Sequence, residues 1–277
     1  FTNTNSAQVQ ITVLDTLPPL LQGQNINLYL DASGSAVLDS AQAVNSLSDN
    51  CAIDSLSFSN QTFTCADTGT NLVTVFAADF SGNTAFDTVT VQVFDTLPPV
   101  VNAQNITVYL DAAGSASIIA NDMDNGSADN CALYTLLLSN ASFNCSNLGQ
   151  NQVQLTAMDE SGNSATATAV VTVLDTIAPV VQTQSATVYL DSTGTAVINP
   201  ALVDSGSFDN CGIDSLYLNR DTLTCADLGI ATVTLTAWDS AGNTAAAQVQ
   251  ITVLDTLPPL LQGQNINLYL DASGSAV

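Results

Sequence analysis

The sequence predicts an all-β fold, built as tandem immunoglobulin-like β-sandwich domains of 80 residues in an end-to-end array. Three observations carry this expectation. The 277-residue chain repeats itself at a constant period, its apolar residues alternate with polar ones over short runs, and turn signals separate those runs at regular intervals.

The period comes first. Asp15-Thr-Leu-Pro-Pro19 returns as Asp95-Thr-Leu-Pro-Pro99, Asp175-Thr-Ile-Ala-Pro179 and Asp255-Thr-Leu-Pro-Pro259, each time 80 residues on. Asp49-Asn-Cys51, Asp129-Asn-Cys131 and Asp209-Asn-Cys211 keep the same register. Three domains are therefore expected over 15–94, 95–174 and 175–254. Residues 1–14 read as the last strand of a preceding repeat and 255–277 as the start of a following one. Ala7–Val37 and Ala247–Val277 are identical residue for residue, so the chain is expected to be a window on a longer array.

Within a repeat the elements read in order as strands. Val9, Ile11 and Val13 alternate with polar residues, as do Val89, Val91 and Val93, and Val249, Ile251 and Val253. Ile26, Leu28 and Leu30 form a strand that turns at Asp31-Ala-Ser-Gly34 into Ala36-Val-Leu38. Ile53–Phe58 and the short Thr62–Thr64 follow. Leu72–Ala78 and Ala85–Val93 then make a long hairpin around Phe80-Ser-Gly-Asn83. No stretch shows helical periodicity. Tyr29, Tyr109 and Tyr189 fall at one repeated strand position and read as packing residues.

Charge excludes several functions. There are 25 Asp+Glu against one Lys+Arg (Arg220) and no His, a formal net charge of −24. Nucleic-acid partners need cations for phosphates, and anionic membranes need them too. Without His or Lys, the common proton shuttles and Schiff-base amines are missing. Three near-equal repeats also argue against one active site, so no enzyme is expected. Disorder is excluded by 46% hydrophobic residues. No run of 18 apolar residues is present, so no membrane insertion is expected.

The cysteines fall two per repeat, as Cys51/Cys65, Cys131/Cys145 and Cys211/Cys225, always 14 apart. Zinc would require clustered ligands at short spacing. A local disulfide within each domain is the favoured reading, stabilising by roughly 3 kcal/mol through closure of a short loop. Disulfides point to an extracellular location, secreted or on a cell-surface appendage.

These motifs carry a resemblance. Asp209-Asn-Cys211, Cys225-Ala-Asp-Leu-Gly229, Val233-Thr-Leu-Thr-Ala-Trp-Asp-Ser-Ala-Gly-Asn243 and Val253-Leu-Asp-Thr256 together resemble hyalin-repeat (HYR-like) domains. More narrowly, they are similar to tandem HYR-like arrays in secreted and surface proteins of Bacteroidetes-type bacteria. The second repeat departs from the pattern with Asn144-Cys-Ser-Asn-Leu-Gly149, and the third carries Ala178 for the first Pro. The resemblance implies an extracellular immunoglobulin-like module for adhesion or spacing, without catalysis.

Four acidic positions recur in all three repeats. Asp31, Asp111 and Asp191 open an Asp-x-x-Gly hairpin and have a sufficient role as turn residues. Parity of the strands places Asp79 and Asn83 beside Asp15 at one pole, with Asp49 at the end of a loop that topology leaves open. The same set recurs as Asp95, Asp129, Asp159 and Asn163, then as Asp175, Asp209, Asp239 and Asn243. Converging carboxylates and an Asn carbonyl are hard oxygen ligands suited to Ca²⁺. The competing reading is a set of ordinary hairpin turns with local side-chain bonds. The lack of any cation to neutralise these carboxylates favours the ion.

Glycosylation candidates are spread over the chain. Sequons occur at Asn60, Asn105, Asn125, Asn140 and Asn144. Asp-[Ser/Thr]-apolar tripeptides, which resemble the O-glycosylation signal of that bacterial group, place candidates at Thr16, Ser40, Ser55, Thr88, Thr96, Thr176, Ser215, Thr222 and Ser240. The functional expectation is a structural extracellular rod or fibre stiffened by interdomain calcium, its partners further copies of itself. The alternative is an adhesin recognising glycan or protein on another surface.

Overall fold

The computed structural model describes Phe1, residues 4–270 and residues 272–275. Thr2, Asn3, Asp271, Ala276 and Val277, all in the two terminal segments, lie outside the described residues. The chain divides into two compact units, Phe1–Thr107 with Ser117–Ser142 and Gln150–Thr172, and Val108–Ala116 with Phe143–Gly149 and Val173–Val277. The first repeat lies wholly in the first unit and the third in the second.

The first repeat contains β1 (Leu20–Gly23), β2 (Ile26–Tyr29), β3 (Ser35–Val37), α1 (Ser40–Ala43), β4 (Val44–Ser48), β5 (Ile53–Phe58), β6 (Thr62–Thr64), β7 (Gly69–Asp79) and β8 (Thr84–Phe94). The expected long hairpin is β7–β8, paired from Ala78↔Thr84 to Gly69↔Val93. Alternation puts Val73, Val75, Val89, Val91 and Val93 on its inner face, where all are buried. β2 joins the open side of β8 in parallel, Ile26 opposite Val91. β5 flanks β7, which completes the order β2-β8-β7-β5. The small pairs β3–β6 and β1–β4 lie outside that sheet, and Phe63 of β6 with Ala43 of α1 closes the core over Leu28, Leu30 and Leu38. Each large apolar side chain so buried contributes about 1.5–3 kcal/mol.

The second repeat runs β9 (Ile106–Tyr109), β10 (Ser115–Ser117), α2 (Ala120–Met123), β11 (Leu133–Leu138), β12 (Ser142–Asn144), β13 (Gly149–Asp159) and β14 (Ser164–Leu174). The third runs β15 (Ala186–Tyr189), β16 (Thr195–Val197), α3 (Pro200–Val203), β17 (Ile213–Leu218), β18 (Thr222–Thr224), β19 (Gly229–Asp239) and β20 (Thr244–Leu254). Its sheet order, β15-β20-β19-β17, reproduces that of the first repeat, with β15 again parallel to β20. These are tandem all-β sandwiches.

The structure departs from the sequence reading in several places. No local disulfide forms. Cys65 bonds Cys131 and Cys145 bonds Cys211, each pair 66 residues apart with Cα atoms 5.3 Å apart, while Cys51 and Cys225 are free and exposed. The reason is placement, since Cys65 and Cys145 follow the short strands β6 and β12, where the Asp-Asn-Cys loop of the next repeat lies against them. Among the described residues three four-residue α-helices appear, too short to show a 3.6-residue period; Asp39 and Asn199 cap the first and third through their side-chain oxygens. Residues 4–14 form no strand, and Val9, Ile11 and Val13 are exposed. Tyr29, Tyr109 and Tyr189 are exposed rather than packed, because they occupy the outward side of their strands; Tyr29 stacks on Phe94 at 5.5 Å.

Candidate metal centre at the repeat junctions

The acidic positions converge because of a bulge. Pairing of β5 with β7 slips between Ile53 and Ser55, which sets Ile53 opposite Asp79 and brings the preceding Asp49-Asn50-Cys51 loop onto the β7–β8 turn. The same slip sets Ile213 opposite Asp239 and Leu133 opposite Asp159. That turn is held by its own residues. The Asn83 backbone N–H donates to Asp79 Oδ1 and its side-chain N–H to Asp79 Oδ2, and the same side chain reaches the Asp15 carbonyl at 3.2 Å. Asn163 and Asn243 repeat these contacts with Asp159 and Asp95, and with Asp239 and Asp175.

Asp15, Asp49 and Asp79 thus present carboxylate oxygens within 4.8 Å of one another, as do Asp175, Asp209 and Asp239. Oxygens sharing one Ca²⁺ at 2.3–2.6 Å are no more than about 5 Å apart, so the spacing fits a single ion. At the middle junction the close group is Asp95, Asp129 and Cys131. Cys131 is disulfide-bonded and offers no thiolate, which leaves the two carboxylates there, with Asp159 tied to Asp95 through Asn163.

Hydrogen bonding leaves a consistent remainder. Asp95 Oδ1 accepts from the Leu97 N–H and from Asn130, and Asp129 Oδ2 accepts from the Cys131 N–H. Their other oxygens, Asp95 Oδ2 and Asp129 Oδ1, are buried without a hydrogen-bond partner. So are the equivalent atoms of Asp15, Asp49, Asp175 and Asp209. Asp95 and Asp175 are each only 6% exposed, and Asp159 only 1%. An unpaired buried carboxylate oxygen is costly. The one cationic side chain is engaged elsewhere, with Arg220 paired to Asp227. These oxygens would be satisfied by a hard cation.

Sequence reasoning missed one member of the set. The amide nitrogen of Asn83, a residue expected to offer its side-chain oxygen, braces the turn through Asp79 Oδ2 and the Asp15 carbonyl. The buried, unpartnered amide oxygens belong to Asn130 and Asn210. Their signal was the recurrence of Asp-Asn-Cys in every repeat.

The hairpin opened by Asp31 also does more than turn. Asn130 donates to the Asp31 carbonyl as well as to Asp95, and Asn210 does so to Asp111 and Asp175. One amide therefore ties the hairpin of one repeat to the junction aspartate and the loop of the next. The carboxyls at the hairpin are held low by local donors; the Thr193 hydroxyl, with the Thr195 and Thr193 N–H groups, takes Asp191 down to about 2.

Gly34 (φ 71°) completes the dock, since a Cβ there would lie 2.5 Å from the Asn130 carbonyl oxygen and 2.7 Å from Cys65 Sγ. Gly82 has φ 86° with open space around it. Gly34→Ala is therefore expected to cost about 1–3 kcal/mol of backbone strain plus the clash, and Gly82→Ala the strain alone. Equal losses of thermal stability in the two variants would remove the close approach as a constraint.

The fold and these junctions define a class: a tandem array of sandwich modules whose successive members are joined by a disulfide and an asparagine clamp, with an acidic cluster in each module beside the junction. No family model matches the chain. Among curated proteins it is similar to "Hyalin" of Strongylocentrotus purpuratus, 31% identical over 69% of this chain and 17% of that protein. It is also similar to "Hyalin" of Lytechinus variegatus, 28% identical over 92% of this chain and 51% of that one. The chain thus spans about half or less of these relatives. Both come from sea urchins, so they support the hyalin-repeat likeness and not the narrower bacterial one. Among solved structures, a three-immunoglobulin-domain titin segment covers 87% of this chain and all of its own at 10% identity and TM-score 0.38. An extracellular cadherin-domain segment of a protocadherin gamma covers 74% of this chain and 66% of its own at 14% identity and TM-score 0.30.

Proposed function

We propose that this chain is a structural extracellular repeat protein. In this reading each 80-residue repeat is one domain, and Ca²⁺ at each junction stiffens the array into a rod or fibre. The observation that carries the reading is the set of buried carboxylate oxygens without partners at successive junctions, in a chain whose single cation lies elsewhere. The hyalin likeness and the disulfides support an extracellular setting. Among the described residues no helix is long and apolar enough to cross a membrane. The clusters serve as ligands rather than catalysts, because they recur at junctions instead of gathering in one cleft. All the glycosylation candidates, from Thr16 to Ser240, are exposed, which suits attached sugars that cover the surface.

Trp238 adjoins the buried Asp239 and is itself partly exposed, so it reports on its junction. Calcium titration is expected to change its fluorescence saturably, and Asp175→Asn to abolish the change. Equilibrium dialysis showing no bound calcium, together with a flat fluorescence titration, would sink the reading.

The exposed Tyr29, Tyr109 and Tyr189 favour a second reading, an adhesin, because aromatic side chains at a repeated outward position are suitable recognition anchors. Saturable binding to a glycan array, lost on Tyr109→Ala, would support it over a purely structural role.

A further inference from the structure

The two disulfides change how the chain is strung as well as how stable it is. From Cys65 to Cys145 the backbone runs 80 positions, one full period. The Cys65–Cys131 bond bypasses 66 of them and leaves 14 between Cys131 and the next bond at Cys145. A pull along the chain therefore reaches Cys65, crosses to Cys131, follows residues 132–144, and crosses again from Cys145 to Cys211.

Most of each sandwich lies off that path. The loop 66–130 holds the β7–β8 hairpin with its buried valines, then β9, β10 and α2. The loop 146–210 holds β13, β14, β15, β16 and α3. The junction carboxylates are bypassed as well, Asp95 and Asp129 in the first loop and Asp159, Asp175 and Asp209 in the second.

The segment left on the path has little length to give. Within residues 132–144, β11 takes Leu133–Leu138 and β12 takes Ser142–Asn144. Strand backbone already rises about 3.3 Å per residue, close to the extended limit. β11 is also held along its length by β13, from Leu133 opposite Asp159 to Leu138 opposite Leu155. The bridges themselves are firmly seated. Cys65 and Cys131 pack against the core of the first repeat, and Cys65 Sγ lies 3.6 Å from the carbonyl oxygens of both Gly34 and Asn130. Cys145 Sγ stands 3.7 and 3.5 Å from those of Gly114 and Asn210.

We propose that this chain is a tension-bearing element, whose disulfides carry load past the folded cores so that successive repeats transmit a pull without unravelling. Fully stretched, the 14 positions from Cys131 to Cys145 reach roughly 50 Å, whereas an unbridged period of 80 reaches roughly 280 Å. Without the bridges, lengthening is limited only by the rate at which each sandwich unfolds under force. With them it is limited by covalent bonds. A local pairing of cysteines 14 apart would do the reverse, hiding 14 positions of each period and releasing 66.

Such a load path rests on the array reading, though not on calcium, and force spectroscopy separates the two. The full chain, held through short tags at its two ends, is stretched in optical tweezers in oxidising buffer and again after complete reduction. Segments outside the two loops lengthen equally in both states, so the difference reads the bridges alone. Reduction is expected to add about 450 Å of contour, two loops of 66 positions at about 3.5 Å each. Cys65→Ala with Cys131→Ala should release about half of that before any reductant is added. These lengths hold whether or not a variant folds. Equal lengths in the two states, or a gain of only roughly 140 Å as three local bonds would give, would overturn the proposal. In that event, repeat-sized unfolding steps in the reduced chain leave the array reading intact, and their absence removes it too.

Discussion

Calcium in excess should raise the melting temperature of this chain, and the double variant Asp95→Asn, Asp175→Asn should reverse the order of stabilities in chelator. Asp95 and Asp175 are buried, and each has one oxygen without a partner facing a second carboxylate. Without a cation the folded state holds like charges together, which is unfavourable. An ion bound only by the folded state adds about 2.7 kcal/mol per site when its concentration is 100 times Kd. For a domain of this size that corresponds to a shift on the order of 10 °C. The amide replacing Asp95 keeps an oxygen for the Leu97 and Asn130 donors and sets an NH₂ where the unpartnered Oδ2 stood. In chelator the variant should therefore melt at or above the parent, and in calcium clearly below it. Calorimetric scans in both conditions decide the matter; a variant that gains as much from calcium as the parent would show that these carboxylates hold no ion.

Breaking the two inter-repeat disulfides is the second large effect. Each closes a loop of 66 residues, for which chain entropy gives about 4 kcal/mol, against about 3 for the 14-residue loop the sequence suggested. The consequence also differs in kind. A local bridge would stabilise one sandwich, whereas Cys65–Cys131 ties the end of one repeat to the Asp-Asn-Cys loop of the next. Cys65→Ala with Cys131→Ala should leave far-ultraviolet circular dichroism nearly unchanged while lowering the melting temperature and broadening the transition into separable steps. Peptide mapping of the oxidised parent should recover residue 65 linked to 131, and recovery of 51 linked to 65 would reverse the assignment.

Much of the fold was legible in the sequence, because strands with one inner face print a period of two. The alternation of Val89, Val91 and Val93 announced β8, and the spans Leu72–Ala78 and Ala85–Val93 the β7–β8 hairpin, whose inner valines are buried. The β1–β4 pair was not legible, since Leu20–Gly23 has no alternation and its partner lies across two intervening strands and a helix. The acidic cluster was half legible. Parity placed Asp79 and Asn83 beside Asp15, but only the bulge between Ile53 and Ser55 decides that Asp49 joins them. The disulfides were ambiguous for an arithmetical reason. With an 80-residue period, a cysteine 14 residues from its neighbour within the repeat is 66 from one in the next, so both pairings recur with equal regularity.

The sequence by itself determined the repeat, the strand positions and the excess of carboxylates, all of which depend on local composition and spacing. Tertiary structure decided what each segment does with them. Residues 7–14 and 247–254 are the same octapeptide, yet Val9, Ile11 and Val13 are 82, 81 and 90% exposed while Val249, Ile251 and Val253 are 5, 0 and 1% exposed. The second copy lies in β20, between β19 and β15, where its N–H and C=O groups are paired and its valines meet a core. A strand is completed by its neighbours, and alternation only makes it ready for them. The carboxylates behave likewise, as spaced acids in the sequence that become a candidate ion site once the bulge brings the Asp49-type loop onto the β7–β8-type turn.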